Sequence, residues 1–289
     1  MVKRIVVIMS DKFVDQPVLI RTIKLFKIYK KGTIEVTALR GVNLRIYKNE
    51  FLSIIGPSGS GKSSLLSLLG GISTPSAGVI FYNDLEISTF NSKKLNKFRR
   101  ENIGFLWKND NLLPTYSIID NLKIAIKACG KFNGDEVSNK CVKILEDTGL
   151  TKSAKKKPNE LSILDQQKAS VALAVANEPE LILADEPTGE LDSEETKEFF
   201  ELLCDIHKKY EITIVIGTHD ENIKAYSTRF VTMHDGIVLT KSLKNGMEVV
   251  ETDKDGELKI PVELQQVFGN KRVRVTQVRD GEIKLSLDK

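Results

Sequence analysis

The run GPSGSGKSS at residues 56–64 combines glycines at 56, 59 and 61, a lysine at 62 and serines at 58, 60, 63 and 64. Glycines let a backbone fold closely around an anion with its N–H groups turned inward. The strand-like FLSII precedes the run and the helix-like SSLLSLLG follows it. The loop therefore ends on a helix N-terminus, which adds partial positive charge. In that context the spacing Gly-x-x-x-x-Gly-Lys-Ser predicts a polyphosphate cradle. Gly56, Ser58, Gly59, Ser60, Gly61, Lys62, Ser63 and Ser64 would form it. Lys62 would reach the β- and γ-phosphates, and the Ser63 hydroxyl would ligate Mg²⁺.

A second chemical cluster is LILADEPTG at residues 181–189. Four apolar residues place Asp185 at the carboxyl end of a buried strand, where ligands bind in open α/β sheets. Asp185 would hold Mg²⁺ through water, and Glu186 could polarise an attacking water. Without the cradle, the same two carboxylates would read as caps of the following turn. His219 follows ITIVIGT, another strand end, and would be delivered to the γ-phosphate.

The elements that must position these groups alternate. Strand-like FLSIIG (51–56), VIFYND (79–84), LILADE (181–186) and ITIVIGT (212–218) are separated by helical patterns. Unbroken apolar runs such as LILA suit strands buried on both faces of a parallel sheet. SIIDNLKIAIKA, DEVSNKCVKILEDTG and SEETKEFFELLCDIHKKY have helical spacing. The lysine cluster KSAKKKP (152–158) reads as a solvated loop. RFVTMHDGIVLTKS (229–242) reads as a hairpin around Asp235-Gly236. With 41% hydrophobic and 28% charged residues the chain can bury a sizeable core, and a net charge of +4 selects no class of partner. Cys129, Cys141 and Cys204 form no CxxC pair, which argues for a reducing compartment. No apolar run reaches the roughly 18 residues of a spanning helix, so no direct membrane insertion is expected. The opening MVKRIVVIMSDK has too short an apolar core for a signal peptide and reads as a strand.

These motifs, in this order, resemble the nucleotide-binding subunits of ABC transporters. The likeness covers about residues 20–243. LRGVNLRIYKNEFLSIIGPSGSGKSSLLSLLGG, NLLPTYSIIDNL and ILADEPTGELDS resemble the subgroup serving lipoprotein-release, macrolide-export and cell-division permeases. The resemblance implies an α/β P-loop NTPase core with a helical subdomain, and ATP with Mg²⁺ as cofactors. It implies a cytoplasmic location at the inner face of a membrane and a membrane permease as partner. It places Tyr29 in LFKIYKKG on the adenine, Glu186 as catalytic base and His219 as γ-phosphate switch. It carries Ser162 to the γ-phosphate of a second subunit and Asp192 in GELDS across a dimer interface.

Two places depart from the pattern. The family's Leu-Ser-Gly-Gly-Gln falls on Leu161, Ser162, Ile163, Leu164 and Asp165. Ser162 remains, and Ser-x-x-Asp predicts that a helix still starts there. Ile163 and Leu164 bring side chains where glycine backbone would approach phosphate. Asp165 adds a negative charge; at about 5 Å and an effective dielectric near 20, one such pair of like charges costs about 3 kcal/mol. Lys108 stands where the family has Gln, and a Lys ammonium cannot ligate a metal. It could contact the γ-phosphate or lie in a solvated loop, and both readings stand open. The alternatives that follow are a mixed dimer with a related ATPase subunit, a self-pairing homodimer of low turnover, and a nucleotide-sensing regulatory dimer outside transport.

After Asn245-Gly246 the composition changes to alternating apolar and polar residues, broken at Asp255-Gly256 and Asp280-Gly281. The pattern reads strand, strand, a short helix opened by Pro261, strand, strand. It resembles the swapped-hairpin modules of transition-state regulators and antitoxins. The expected division is an N-terminal extension at 1–19, an ABC ATPase domain at 20–243 and a small β-rich dimerisation module at 244–289. So short a strand-rich piece buries too little core to stand alone. Lys271, Arg272, Arg274 and Arg279 are offset by Glu248, Glu251, Asp253, Asp255 and Glu257, so self-pairing rather than nucleic-acid binding is expected of it.

Overall fold

The computed structural model of the chain describes residues 5–8, 16–32, 34–107, 111–239, 241–244, 247–250, 273–279 and 282–287. Its centre is a six-stranded sheet. The strands are β4 (Phe51–Ile55), β7 (Ile103–Leu106), β8 (Leu181–Asp185), β9 (Thr213–Thr218), β10 (Arg229–His234) and β11 (Ile237–Leu239). They lie in the order β11-β10-β4-β9-β8-β7. All neighbours are parallel except the β10–β11 hairpin.

β4, β8 and β9, at the middle of the sheet, are buried on both faces, as their unbroken apolar runs predict, whereas β10 alternates buried and half-buried residues and edge strand β11 is largely open. Side chains alternate across the sheet. Phe51 and Ile55 of β4, Ile182 and Ala184 of β8, and Ile214 and Ile216 of β9 enter one core cluster. Leu52 and Ile54, Leu181 and Leu183, and Val215 enter the other. Burial of each such side chain larger than alanine stabilises by about 1.5–3 kcal/mol before entropy is charged against it.

The first cluster is closed by helices α3 (Ile118–Ala128), α4 (Asp135–Asp147), α5 (Ile163–Val175) and α6 (Ser193–Tyr210). The second is closed by α1 (Lys62–Leu69), α2 (Ser92–Asn102) and a four-stranded antiparallel sheet. That sheet contains β2 (Val18–Lys31), β3 (Ile34–Tyr47), β5 (Ala77–Tyr82) and β6 (Leu85–Glu86). Helix starts follow local chemistry. Ser117 caps α3 by accepting from the Asp120 N–H, and Asp192 caps α6 by accepting from the N–H groups of Glu194 and Glu195.

The lysine loop is less solvated than its composition suggests. Ser153 and Pro158 are buried. The carbonyls of Ala154 and Lys156 accept from the Ile119 and Ile118 N–H groups, so this loop seats the first turn of α3. Lys152, Lys155, Lys156 and Lys157 are all exposed, as expected of a solvated loop.

The β10–β11 hairpin turns at Asp235-Gly236, as the sequence predicts, with φ of 47° and 80°. Beyond it lie β12 (Lys241–Lys244) and β13 (Met247–Val250), an antiparallel pair. β14 (Val273–Arg279) and β15 (Glu282–Leu287) form a hairpin. β1 (Ile5–Ile8) pairs antiparallel with β15, giving a three-stranded sheet in the order β1-β15-β14. The strand expected near the start of the sequence therefore joins the C-terminal strands, an association the sequence does not announce. The helix expected at Pro261 lies outside the described residues.

Candidate functional site

The strand order explains the site. β4, β9 and β8 are neighbours and parallel, so their carboxyl ends open on one edge. Ile55 is in register with Thr218, and Asp185 with Gly217. Three stretches distant in sequence, after residues 55, 185 and 218, are thereby brought together.

After β4 the chain wraps through residues 56–61 into α1. Gly59 and Gly61 take φ of 80° and 106°, a region that favours glycine. Lys62 is 4% exposed, and its ammonium donates to the carbonyls of Gly56 at 2.7 Å and Pro57 at 3.0 Å. Its third contact is Glu186 Oε1 at 3.1 Å. The other oxygen of Glu186 accepts from His219 twice, from Nδ1 at 2.8 Å and from the backbone N–H at 3.2 Å. Glu186 itself has φ of 47°, an uncommon conformation for a non-glycine residue. Its N–H is tied to the Gly217 carbonyl at 2.8 Å. Burial pushes the Glu186 carboxyl up, but hydrogen bonds and charge from Lys62, then the bonds from His219, outweigh it. The carboxyl lies below its ordinary value. It is therefore ionised at neutral pH.

Asp185 ends β8 beside the start of α1. A Cβ added at Gly217 would lie 3.2 Å from Lys62 Cβ and 3.8 Å from Asp185 Oδ1, so the glycine leaves room between them. Ser63, at the first turn of α1, is exposed. A hydroxyl and a carboxylate are hard oxygen donors. They fit Mg²⁺, which keeps most of its ligands as water and phosphate.

Tyr29, on β2, is 44% exposed, and its hydroxyl donates to Ser64 Oγ at 3.3 Å. The Lys27 ammonium lies over one side of this ring, 5.0 Å from its centroid, and the hydroxyl reaches the cradle's outer lip. Ser162 is exposed at the start of α5 and accepts from the Asp165 N–H at 3.1 Å. The predicted helix start is present. The two replaced positions differ in fate. Ile163 is 44% exposed, whereas Leu164 is 8% exposed and packs in the helical core. Only Ile163, with half-buried Asp165, alters the outer surface here. Asp192 spends its Oδ1 on the α6 cap, and the Glu195 carboxylate accepts from the Asp192 N–H in return. Asp192, Thr188, His219 and Asp220 line an open groove of about 750 Å³ beside the site. Lys108 lies outside the described residues, but its neighbour Trp107 stacks on Phe105 at 4.9 Å. The Asn111 amide clasps the Trp107 backbone through both its N–H and its carbonyl.

The site also rests on residues that motif reading missed. Arg40 and Gly236 brace the cradle from outside. A buried pair, Glu50 with Arg229 at 2.5 Å, locks the turn before β4 to β10. The Asp-Gly turn was the available signal for the first; nothing in the sequence pattern joins Glu50 to Arg229.

A glycine cradle with its lysine, and two carboxylates and a histidine on neighbouring parallel strand ends, define a phosphate-binding α/β NTPase. The chain belongs to the ABC transporter family, whose sequence profile matches residues 39–189, and it is an ATP-binding subunit and an ATPase of that type. The lipoprotein-releasing system ATP-binding protein LolD of Legionella pneumophila is 37% identical over 213 residues, 74% of this chain and 93% of LolD. The macrolide export ATP-binding/permease protein MacB of Campylobacter jejuni is 41% identical over 210 residues, 73% of this chain and 32% of MacB. Among solved structures, the dimeric cassette MJ0796 of Methanocaldococcus jannaschii is similar, with 35% identity, a TM-score of 0.71 and coverage of 76% of this chain and 96% of that one. A dimer of the same cassette bound to ADP and Pi gives 33% identity and a TM-score of 0.72 over 78% of this chain and 100% of that one. No helix among the described residues is long and apolar enough to cross a membrane.

Proposed function

We propose that the chain works as a self-pairing, slowly hydrolysing ATPase that energises a membrane permease. The observation that carries this reading is the chain of contacts Lys62–Glu186–His219, at 3.1 Å and 2.8 Å. In it a phosphate-binding cation, an ionised carboxylate and an imidazole share one strand edge. On ATP binding, Lys62 exchanges its carbonyl partners for phosphate oxygens. Glu186, released from Lys62, accepts a proton from the attacking water, and His219 keeps that carboxylate oriented. Ser63 and Asp185 would hold Mg²⁺, which supplies charge neutralisation at the phosphates. Tyr29 stacks on the base.

Slow turnover follows from Ile163 and Asp165 on the surface that a second copy's triphosphate would meet. A branched side chain keeps backbone N–H groups at a distance, and a carboxylate adds like charge. The dimeric cassettes among the relatives support self-pairing, and the names LolD and MacB support a permease partner. The β-rich strands after residue 243 are proposed as a small module that reinforces pairing.

The test is the Glu186→Gln variant, sized with and without Mg-ATP, beside the hydrolysis rate of the native chain. The expected result is a shift from monomer to dimer on ATP addition, and a native rate well below that of an intact-signature relative. A monomeric size both with and without Mg-ATP would sink self-pairing, and brisk hydrolysis by the chain alone would sink the slow-turnover reading.

A further inference from the structure

The geometry points to Gly236 as a positioning residue for the ATP reaction: its N–H sets the direction of a cradle amide from outside the cradle. This rests on the cradle's being the ATP site.

The contacts are specific. The Gly236 N–H donates to the Ser60 carbonyl at 2.9 Å. That carbonyl belongs to the same planar trans peptide as the Gly61 N–H, so the two bonds point in opposite directions. Tying the oxygen to the hairpin turns the Gly61 N–H away from it, toward the inside of the loop. The turn is itself held from the other side. The Gly236 carbonyl accepts from the Arg40 N–H at 2.8 Å, and the Asp235 carbonyl accepts from Arg40 Nε at 3.1 Å.

The packing leaves no slack. A Cβ added at Gly236 would lie 2.6 Å from the Ala38 carbonyl oxygen, and one at Gly61 would lie 2.5 Å from the same oxygen. One at Gly56 would lie 2.2 Å from the Met233 carbonyl oxygen. Cradle, β3 and the β10–β11 turn are therefore in backbone contact on three sides. Gly236 also has φ of 80°, so a side chain there meets both strain and an immovable backbone atom. The turn must then move off β3 and carry its N–H away from Ser60.

β12 begins at Lys241, immediately after this hairpin.

The experiment uses the full chain. ATP affinity, KM and kcat are measured for Gly236→Ala and Arg40→Ala, and amide hydrogen exchange is measured for the native chain with and without ATP. Gly236→Ala is expected to raise Kd and KM about tenfold, the cost of one misdirected cradle hydrogen bond, with kcat nearly unchanged. Arg40→Ala is expected to give a smaller rise in the same direction. ATP should slow exchange at 236–239 as well as at 59–64. A merely structural role would lower the melting temperature and leave Kd alone; a folded Gly236→Ala with native affinity overturns the proposal. If Gly236→Ala does not fold, native affinity in Arg40→Ala together with unprotected 236–239 overturns it. Absence of any ATP protection at 59–64 would instead overturn the ATP site itself.

Discussion

Lys62 Nζ lies 3.1 Å from Glu186 Oε1 with the lysine almost wholly buried. The cation that would hold phosphate is occupied by the carboxylate that would activate water. The two halves of the site are coupled before any nucleotide arrives, and most of what can be tested follows from that coupling.

Removing the lysine should be felt first in binding. Lys62→Ala deletes a charge-assisted contact of about 1.5–3 kcal/mol, so ATP affinity should fall about ten- to a hundredfold. Titration calorimetry with non-hydrolysable nucleotide checks this. Loss of turnover with native affinity would contradict the cradle assignment.

Acid should uncouple the pair in a defined direction. The Glu186 carboxyl lies below its ordinary value of 4.5, so its contribution to stability is complete above that value. It is lost as the pH falls through the lower, folded-state value. The stability difference between the native chain and Glu186→Gln should therefore be constant near neutrality and shrink on acidification. Chemical denaturation across that range measures it; a difference that grows toward acid pH would be inconsistent with the shift.

The signature positions should separate into a catalytic and a structural pair of effects. Ile163→Gly with Asp165→Gln changes one exposed and one half-buried residue in the first turn of α5 and should raise the hydrolysis rate at a cost of about 1 kcal/mol for the glycine. Leu164→Gly empties a core position and should cost about 3 kcal/mol or more without helping the rate. Thermal melts and steady-state rates on the two variants distinguish these outcomes.

The buried ion pair should matter more to folding than to chemistry. Glu50 accepts from Arg229 and from the Tyr47 N–H, with both charged side chains almost fully excluded from water. Glu50→Gln removes the anion opposite a buried guanidinium, which keeps only neutral partners such as the Arg45 carbonyl at 2.6 Å, and should destabilise by about 3 kcal/mol. The combined Glu50→Leu, Arg229→Met variant should recover most of that, which a denaturant midpoint series would show.

The sequence was most legible where one local pattern carried one meaning. GPSGSGKSS between a strand and a helix fixes its own geometry, and LILADE and ITIVIGT announce buried strands by composition. Ser162 as a helix cap is equally local. That Leu164 turns into the core while Ile163 stays outside is not legible, because a motif shows which residue replaces glycine but not which way a helix turns it. The long β2–β3 hairpin and α2 were passed over because their apolar residues are diluted by lysine and arginine. Arg40, Gly236 and the Glu50–Arg229 pair depend on contacts across more than 170 residues, and a pairwise meeting at that distance leaves no periodic trace.

The ladder between β1 and β15 sets Ile5 opposite Leu285 and Ile8 opposite Glu282. In this antiparallel arrangement, tension applied ahead of Ile5 and beyond Leu287 would act on the same end of both strands. The ladder would open as a zipper does, one rung at a time and at low force, so the two strands could separate while the nucleotide site stayed unloaded.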